Sequence, residues 1–164
     1  MINTLQFTDF FNDSTRILII ASALKEYKGF KLTEQKIVLC DYYLKFPITM
    51  FGLNLDDSAF KANIDEYYAF YHWHPEIASY RRCLSYLAAK GLLSKLFLNN
   101  QITYEINELG LEALGKIQNG FKERLLRLSS LMVKEVRKLS SDSKIEEEIL
   151  KKSNILSRRL GDAP

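Results

Sequence analysis

The stretch Lys90-Gly91-Leu92-Leu93-Ser94-Lys95-Leu96-Phe97-Leu98-Asn99-Asn100-Gln101-Ile102-Thr103-Tyr104-Glu105-Ile106-Asn107 decides how the rest of the chain is read. Two short runs, Leu96-Phe97-Leu98 and Ile102-Thr103-Tyr104-Glu105-Ile106, flank Asn99-Asn100-Gln101. Asparagine tolerates the left-handed backbone of a tight turn, so this pattern predicts a β-hairpin. Upstream, Ile77, Tyr80, Leu84, Leu87 and Ala88 recur at helical spacing and stop at Gly91. His74 suits the N-cap of that helix and Pro75 its first position, where a missing N–H costs nothing. Downstream, Asn107 can cap a helix from Glu108 to Gln118.

Helix, glycine, strand, turn, strand, helix is the order of a winged helix-turn-helix. The expected fold is therefore mainly α: a winged helix-turn-helix core with a small β-hairpin wing and a long C-terminal helical extension. Working outward toward the N-terminus, Leu32-Thr33 opens a helix that runs through Val38, Leu39, Tyr42 and Tyr43 and stops before Pro47. Thr33 is its N-cap, and Leu32 with Ile37 fits a hydrophobic staple. An earlier helix runs from Asp13 or Ser14 to Lys28 on Ile17, Ile20, Ala21 and Leu24, with Gly29 placed to end it. Residues 1–12 read as an irregular lead-in carrying Phe7, Phe10 and Phe11. Ile48 to Leu55 reads as a loop or short extended piece, and Ser58 to Tyr71 as a short helix.

Working toward the C-terminus, Phe121, Leu125, Leu128, Met132, Val136 and Leu139 form an apolar helical stripe. Ser140 to Ser143 breaks it, and Ile145, Ile149, Leu156 and Leu160 mark a second helix. The expected organisation is a winged-helix domain over 1–118 and C-terminal amphipathic helices over 119–164. Phe121 to Leu128 should pack on the domain. The surface formed by Met132, Val136, Leu139, Ile145 and Ile149 is expected to receive a partner.

Composition narrows the function classes. The 164 residues are 47% hydrophobic and 26% charged, the balance of an ordinary globular domain rather than a disordered chain. The run Ile17 to Leu24 falls far short of the ~20 apolar residues of a membrane span. No basic region precedes it, so a signal peptide is not expected, and two isolated cysteines, Cys40 and Cys83, suit a reducing cytoplasm. No phosphate loop, nucleophile elbow or metal-ligand spacing occurs, so neither an enzyme nor a cofactor is expected. His72 and His74 flank Trp73 but lack further ligands for a tetrahedral site. Asp56-Asp57 and Asp65-Glu66 read as caps or solvated faces.

Charge is unevenly placed. Met1 to Gly115 carries 11 basic and 13 acidic residues, while Lys116 to Pro164 carries 12 basic and 7 acidic. Arg81 and Arg82 lie on the helix a winged-helix protein would use to read DNA, and with Lys90 and Lys95 they are the candidate nucleic-acid contacts. Base reading, nonspecific contact and protein docking all stay open for this face. The wing tip, Asn99-Asn100-Gln101, lacks the cations of a phosphate-gripping wing and so favours docking. Lys134, Arg137, Lys138, Lys151, Lys152, Arg158 and Arg159 could meet an acidic partner or nucleic acid, or could simply be solvated.

Three blocks carry a resemblance. Thr15 to Ile20 followed by Leu32-Thr33 and Ile37 to Leu44 forms the first. Tyr80-Arg81-Arg82-Cys83-Leu84 through Gly91-Leu92-Leu93 forms the second. Tyr104 to Leu114, with a last Leu- and Arg-bearing helix over Phe121 to Met132, completes it. In this order, over roughly residues 14–135, they resemble the middle-component proteins of ABC three-component systems, the group that includes the Lamassu anti-phage systems. The resemblance implies a non-enzymatic accessory subunit with a winged-helix core. It implies docking on an SMC-like ABC ATPase subunit and a nuclease-type effector subunit, with nonspecific DNA contact open and no membrane, in bacterial defence. The aromatic-rich 67–73 stretch and the extension past Ser140 depart from the family's pattern. The rival expectation is a transcription regulator that dimerises through its long C-terminal helix.

Overall fold

The computed structural model describes residues 4–27, 29–53, 66, 69, 76–139 and 141–161, with the side chains of 4–8 and 155–161 excepted. The first element is α1, Thr4–Leu24. The irregular lead-in expected over residues 1–12 is therefore helical from Thr4. Phe10 stacks edge-on against Tyr86 at 5.1 Å, a tertiary contact that local sequence does not announce. The helix also stops short of Gly29; among the described residues the positive-φ glycines are Gly52 and Gly91.

α2, Glu34–Lys45, begins as expected, with the Thr33 hydroxyl accepting from the Lys36 N–H at 3.2 Å. Pro47 then starts a short helix, α3, Pro47–Phe51, where a loop or short extended piece was expected. Polar groups at its two ends explain why five residues hold helical form. At the N-terminus the buried Glu66 carboxylate accepts from the Ile48 and Thr49 N–H groups at 3.0 and 3.1 Å. At the other end Lys152 donates to the Met50 carbonyl at 2.8 Å. An anion at the N-terminus and a cation at the C-terminus both complement the helix dipole. The helix expected over Ser58 to Tyr71 and the His72-Trp73-His74 group lie outside the described residues, Glu66 and Ala69 excepted.

α4, Ile77–Ala89, starts with Glu76 rather than His74 at its cap. It ends at Gly91, φ 69°, where the Leu92 N–H reaches back to the Leu87 carbonyl at 2.9 Å. The hairpin follows: β1, Leu93–Leu98, pairs antiparallel with β2, Gln101–Ile106. Asn99 and Asn100 both have positive φ, the requirement of a two-residue type I′ turn. Thr33 forms an isolated bridge to Thr103, and the Tyr104 N–H donates to the Leu32 carbonyl at 2.9 Å. This lays the α1–α2 connection along the free edge of β2.

α5, Glu108–Lys116, is capped by Asn107, whose Oδ1 accepts from the Gly110 N–H at 3.0 Å. The Asn107 amide also donates to the Gly91 carbonyl at 2.7 Å and so ties the base of the hairpin to the end of α4. Gly110 sits against this joint: a Cβ there would lie 2.2 Å from the Leu92 carbonyl oxygen. α6, Gly120–Val136, and α7, Asp142–Gly161, complete the fold. The architecture among the described residues is mainly helical with one two-stranded antiparallel sheet. No described helix is long and apolar enough to cross a membrane.

The core corrects two expectations. Leu125, Leu128, Met132 and Val136 of α6 and Ile145 and Ile149 of α7 are buried in the same cluster as Ile17 and Ile20 of α1 and Ile37 and Tyr43 of α2. The expected boundary at residue 118 thus does not separate two cores. Nor is the Met132, Val136, Ile145 and Ile149 surface free to receive a partner. α6 packs on α1 and α2, and α7 on α2 and α3, so these side chains find their apolar cover within the chain. Leu139 is partly buried against the same cluster.

Candidate interaction surfaces

The position of α4 is set by a buried ionic cluster. Asp41, in the middle of an otherwise apolar helix face, is fully buried. Its Oδ1 accepts from Arg16 Nε at 2.7 Å, and its Oδ2 accepts from the Tyr80 hydroxyl at 2.6 Å. Lys45 Nζ lies 3.2 Å from Oδ2 and donates to the Tyr80 oxygen at 3.1 Å. Asp13 takes the far side of the Arg16 guanidinium. One carboxylate thereby joins α1, α2 and α4. Burial pushes the Asp41 carboxyl up, but the charges of Arg16 and Lys45, with the bonds from Arg16 and Tyr80, outweigh it and hold it below the usual carboxylate range. Burial and the neighbouring Asp41 raise the Tyr80 phenol, which therefore stays protonated as a donor. With Arg16, Tyr80 and Lys45 all converging on the Asp41 carboxylate, the cluster braces the three helices against one another. The signal for it in sequence is a charge inside an apolar run, Leu39-Cys40-Asp41-Tyr42-Tyr43, with a second, Arg16, heading Ile17 to Ile20.

Cys40 and Cys83 are fully buried, and burial pushes both thiols up, away from the reactive thiolate. Among the described residues no group of three or more His, Cys, Asp or Glu side chains could hold a metal ion.

The four basic residues expected to touch nucleic acid are all exposed but differ in their surroundings. Arg81 is exposed but bound to Glu34, its Nε 3.1 Å from both carboxylate oxygens. That bond raises the Arg81 pKa. Lys90 stands over the Tyr86 ring at 5.8 Å. Lys95 is exposed on β1, opposite the buried Tyr104. Arg82, Lys90 and Lys95 are exposed and make no ion pair among the described residues, so Arg81 alone of the four is paired.

The wing itself is apolar toward its tip. Cross-strand partners share a face, and the pairs alternate down the hairpin. Leu93 with Ile106 is buried at the base, and on the same face Phe97 opposes Ile102 near the turn. There Phe97 is 71% exposed and Ile102 44%, with Leu98 at 43% on the opposite face. The core face of the hairpin thus continues past the body of the protein as an uncovered apolar end. Sequence reading found the missing cations at this tip but not the exposed Phe97–Ile102 pair. The register needed to find it follows from the Asn99-Asn100 turn. No family model, curated protein or solved structure matches this chain.

Proposed function

We propose that this chain is a non-catalytic, winged-helix accessory subunit that docks on partner proteins through its wing. The observation that carries the reading is the uncovered Phe97–Ile102 pair at the end of a hairpin without a cation at its tip. Exposed apolar groups grouped in this way mark contact sites, and Phe is among the residues enriched in protein interfaces. The Thr33–Thr103 bridge supports the winged-helix assignment: a strand position between the first two helices, then the hairpin, is the order of that fold. Its departure is the interval between α2 and α4, occupied by α3 and the residues around Glu66 where a tight turn would suffice. The partners in this reading are an SMC-like ATPase and a nuclease-type effector of a cytoplasmic bacterial defence system against phage or plasmid DNA. That assignment rests on the ordered blocks that resemble the middle components of ABC three-component systems, and the docking surface lies on the wing rather than on the C-terminal helices.

The test is co-expression of the tagged chain with its flanking genes and native mass spectrometry of the recovered complex. An assembly with an ATPase and a third subunit supports the reading, and a free homodimer contradicts it. The alternative, a DNA-reading regulator, is favoured by Arg82, exposed on α4 with Lys90 and Lys95 nearby in the chain. It predicts a defined site from selection on random DNA, with loss of discrimination at one base position in Arg82→Ala. Its dimerisation through the C-terminal helices is opposed by the burial of Met132, Val136, Ile145 and Ile149 within the chain.

A further inference from the structure

The basic excess of the last third is confined to part of it. Residues 116–138 carry seven basic and two acidic side chains, while residues 139–164 carry five of each. The surplus therefore belongs to α6 and its approach. The buried face of α6 is Leu125, Leu128, Met132 and Val136. At 3.6 residues per turn Arg127, Lys134 and Lys138 project opposite that face, together with one exposed carboxylate, Glu123, and with Arg124 and Arg137 on either side. Lys138 is neutralised by Glu135 at 2.8 Å, and Lys122 is spent on the Leu114 carbonyl. Arg124, Arg127, Lys134 and Arg137 are all exposed and make no ion pair among the described residues. Arg137 is held in place over the Tyr27 ring at 4.3 Å.

From this placement we infer that the exposed face of α6 binds the phosphate backbone of duplex DNA without reading its sequence. This surface is separate from the wing and from α4. From Arg124 to Arg137 the helix spans roughly 20 Å, enough for several successive phosphates along one strand. The face suits a polyanion better than an acidic protein. A protein interface needs apolar anchors at its centre, and the one large hydrophobic side chain exposed on α6 is Leu126, at the margin. Cations with an intervening hydroxyl, here Ser130, are what backbone contact requires. This inference does not depend on the identity of the wing's partner.

The experiment is fluorescence anisotropy of a labelled 30-base-pair duplex of random sequence, titrated with the full chain. The wild type should bind at low salt and weaken roughly a hundred-fold between 50 and 200 mM salt, as four phosphate contacts require. Arg124→Ser with Arg127→Ser and Lys134→Ser should remove most of the binding and flatten the salt dependence by about three-quarters. The same positions changed to Arg124→Lys and Arg127→Lys, with Lys134 kept, should restore it. Circular dichroism verifies that each variant is folded, and all three positions are exposed. Three results would overturn the inference: no binding by the wild type at low salt, equal loss in Arg81→Ser with Arg82→Ser, or displacement of the duplex by polyglutamate as readily as by unlabelled DNA.

Discussion

The hairpin tip and the outer face of α6 are both solvent-facing and differ in what they lack. The tip has apolar side chains and no cations; the α6 face has cations and only a marginal apolar group. A hairpin has two faces and must bury one. Here the buried face outruns the body that covers it, and Phe97 and Ile102 are left over. A helix buries one stripe, and α6 satisfies its stripe completely against α1 and α2, leaving an outer face free to carry charge. The lesson is that the apolar surface available to another protein is set by which element overhangs the core, not by which element is most amphipathic.

Both surfaces ride on one brace, so the comparison breaks most severely there. Asp41→Asn leaves the buried Arg16 charge with Asp13 as its one remaining carboxylate and should cost about 3–5 kcal/mol. Urea unfolding measures it, and a loss below ~1 kcal/mol would show that α4 is not held by this cluster. Acid acts on the same group. Because Asp41 is held below the usual range in the fold, the unfolded chain binds its proton more readily. The stability it contributes is whole above about pH 4 and drains as pH falls through its folded value. Glu66 runs the other way: burial holds its carboxyl above the usual range, so protonation favours the fold as pH falls toward about 4.5. Urea midpoints should therefore collapse below pH 4 rather than decline evenly from pH 7.

A smaller change separates the surfaces. In Gly110→Ala the new methyl meets the Leu92 carbonyl and Ile106, which must give way at the joint of hairpin and α5. The expected cost is roughly 1–3 kcal/mol. The wing should shift while the α6 face stays in place, so partner recovery falls and duplex binding holds. Equal loss of both would mean the surfaces are not independent. The smallest effect on stability belongs to Phe97→Ser with Ile102→Ser, since both side chains are already in water. Melting should change within about 0.5 kcal/mol per site.

What sequence made legible was local. The Thr33 and Asn107 caps, the Gly91 stop, the Asn99-Asn100 turn and the break before α7 all depend on a few adjacent residues. What it hid was set by distant chain. The helical start at Thr4 is stabilised by Phe10 on Tyr86, 76 residues away in sequence. α3 is held by Glu66 and Lys152 from elsewhere in the fold. The stripe through Met132 and Val136 reads identically whether its cover is a second protein or the chain's own α1 and α2; only the tertiary structure shows the latter. For the same reason the partner of Arg81 could not be named from sequence, because Glu34 lies on another helix. Arg82, Lys90 and Lys95 remain on the surface but without the wing-tip cations that would complete a phosphate grip.

The most direct test of this division of labour is native mass spectrometry of the co-expressed complex with three versions of the chain. These are the wild type, Phe97→Ser with Ile102→Ser, and Arg124→Ser with Arg127→Ser and Lys134→Ser. The account predicts that the wing variant is recovered alone and the α6 variant with its partners. Partners kept by the wing variant and lost by the α6 variant would contradict it.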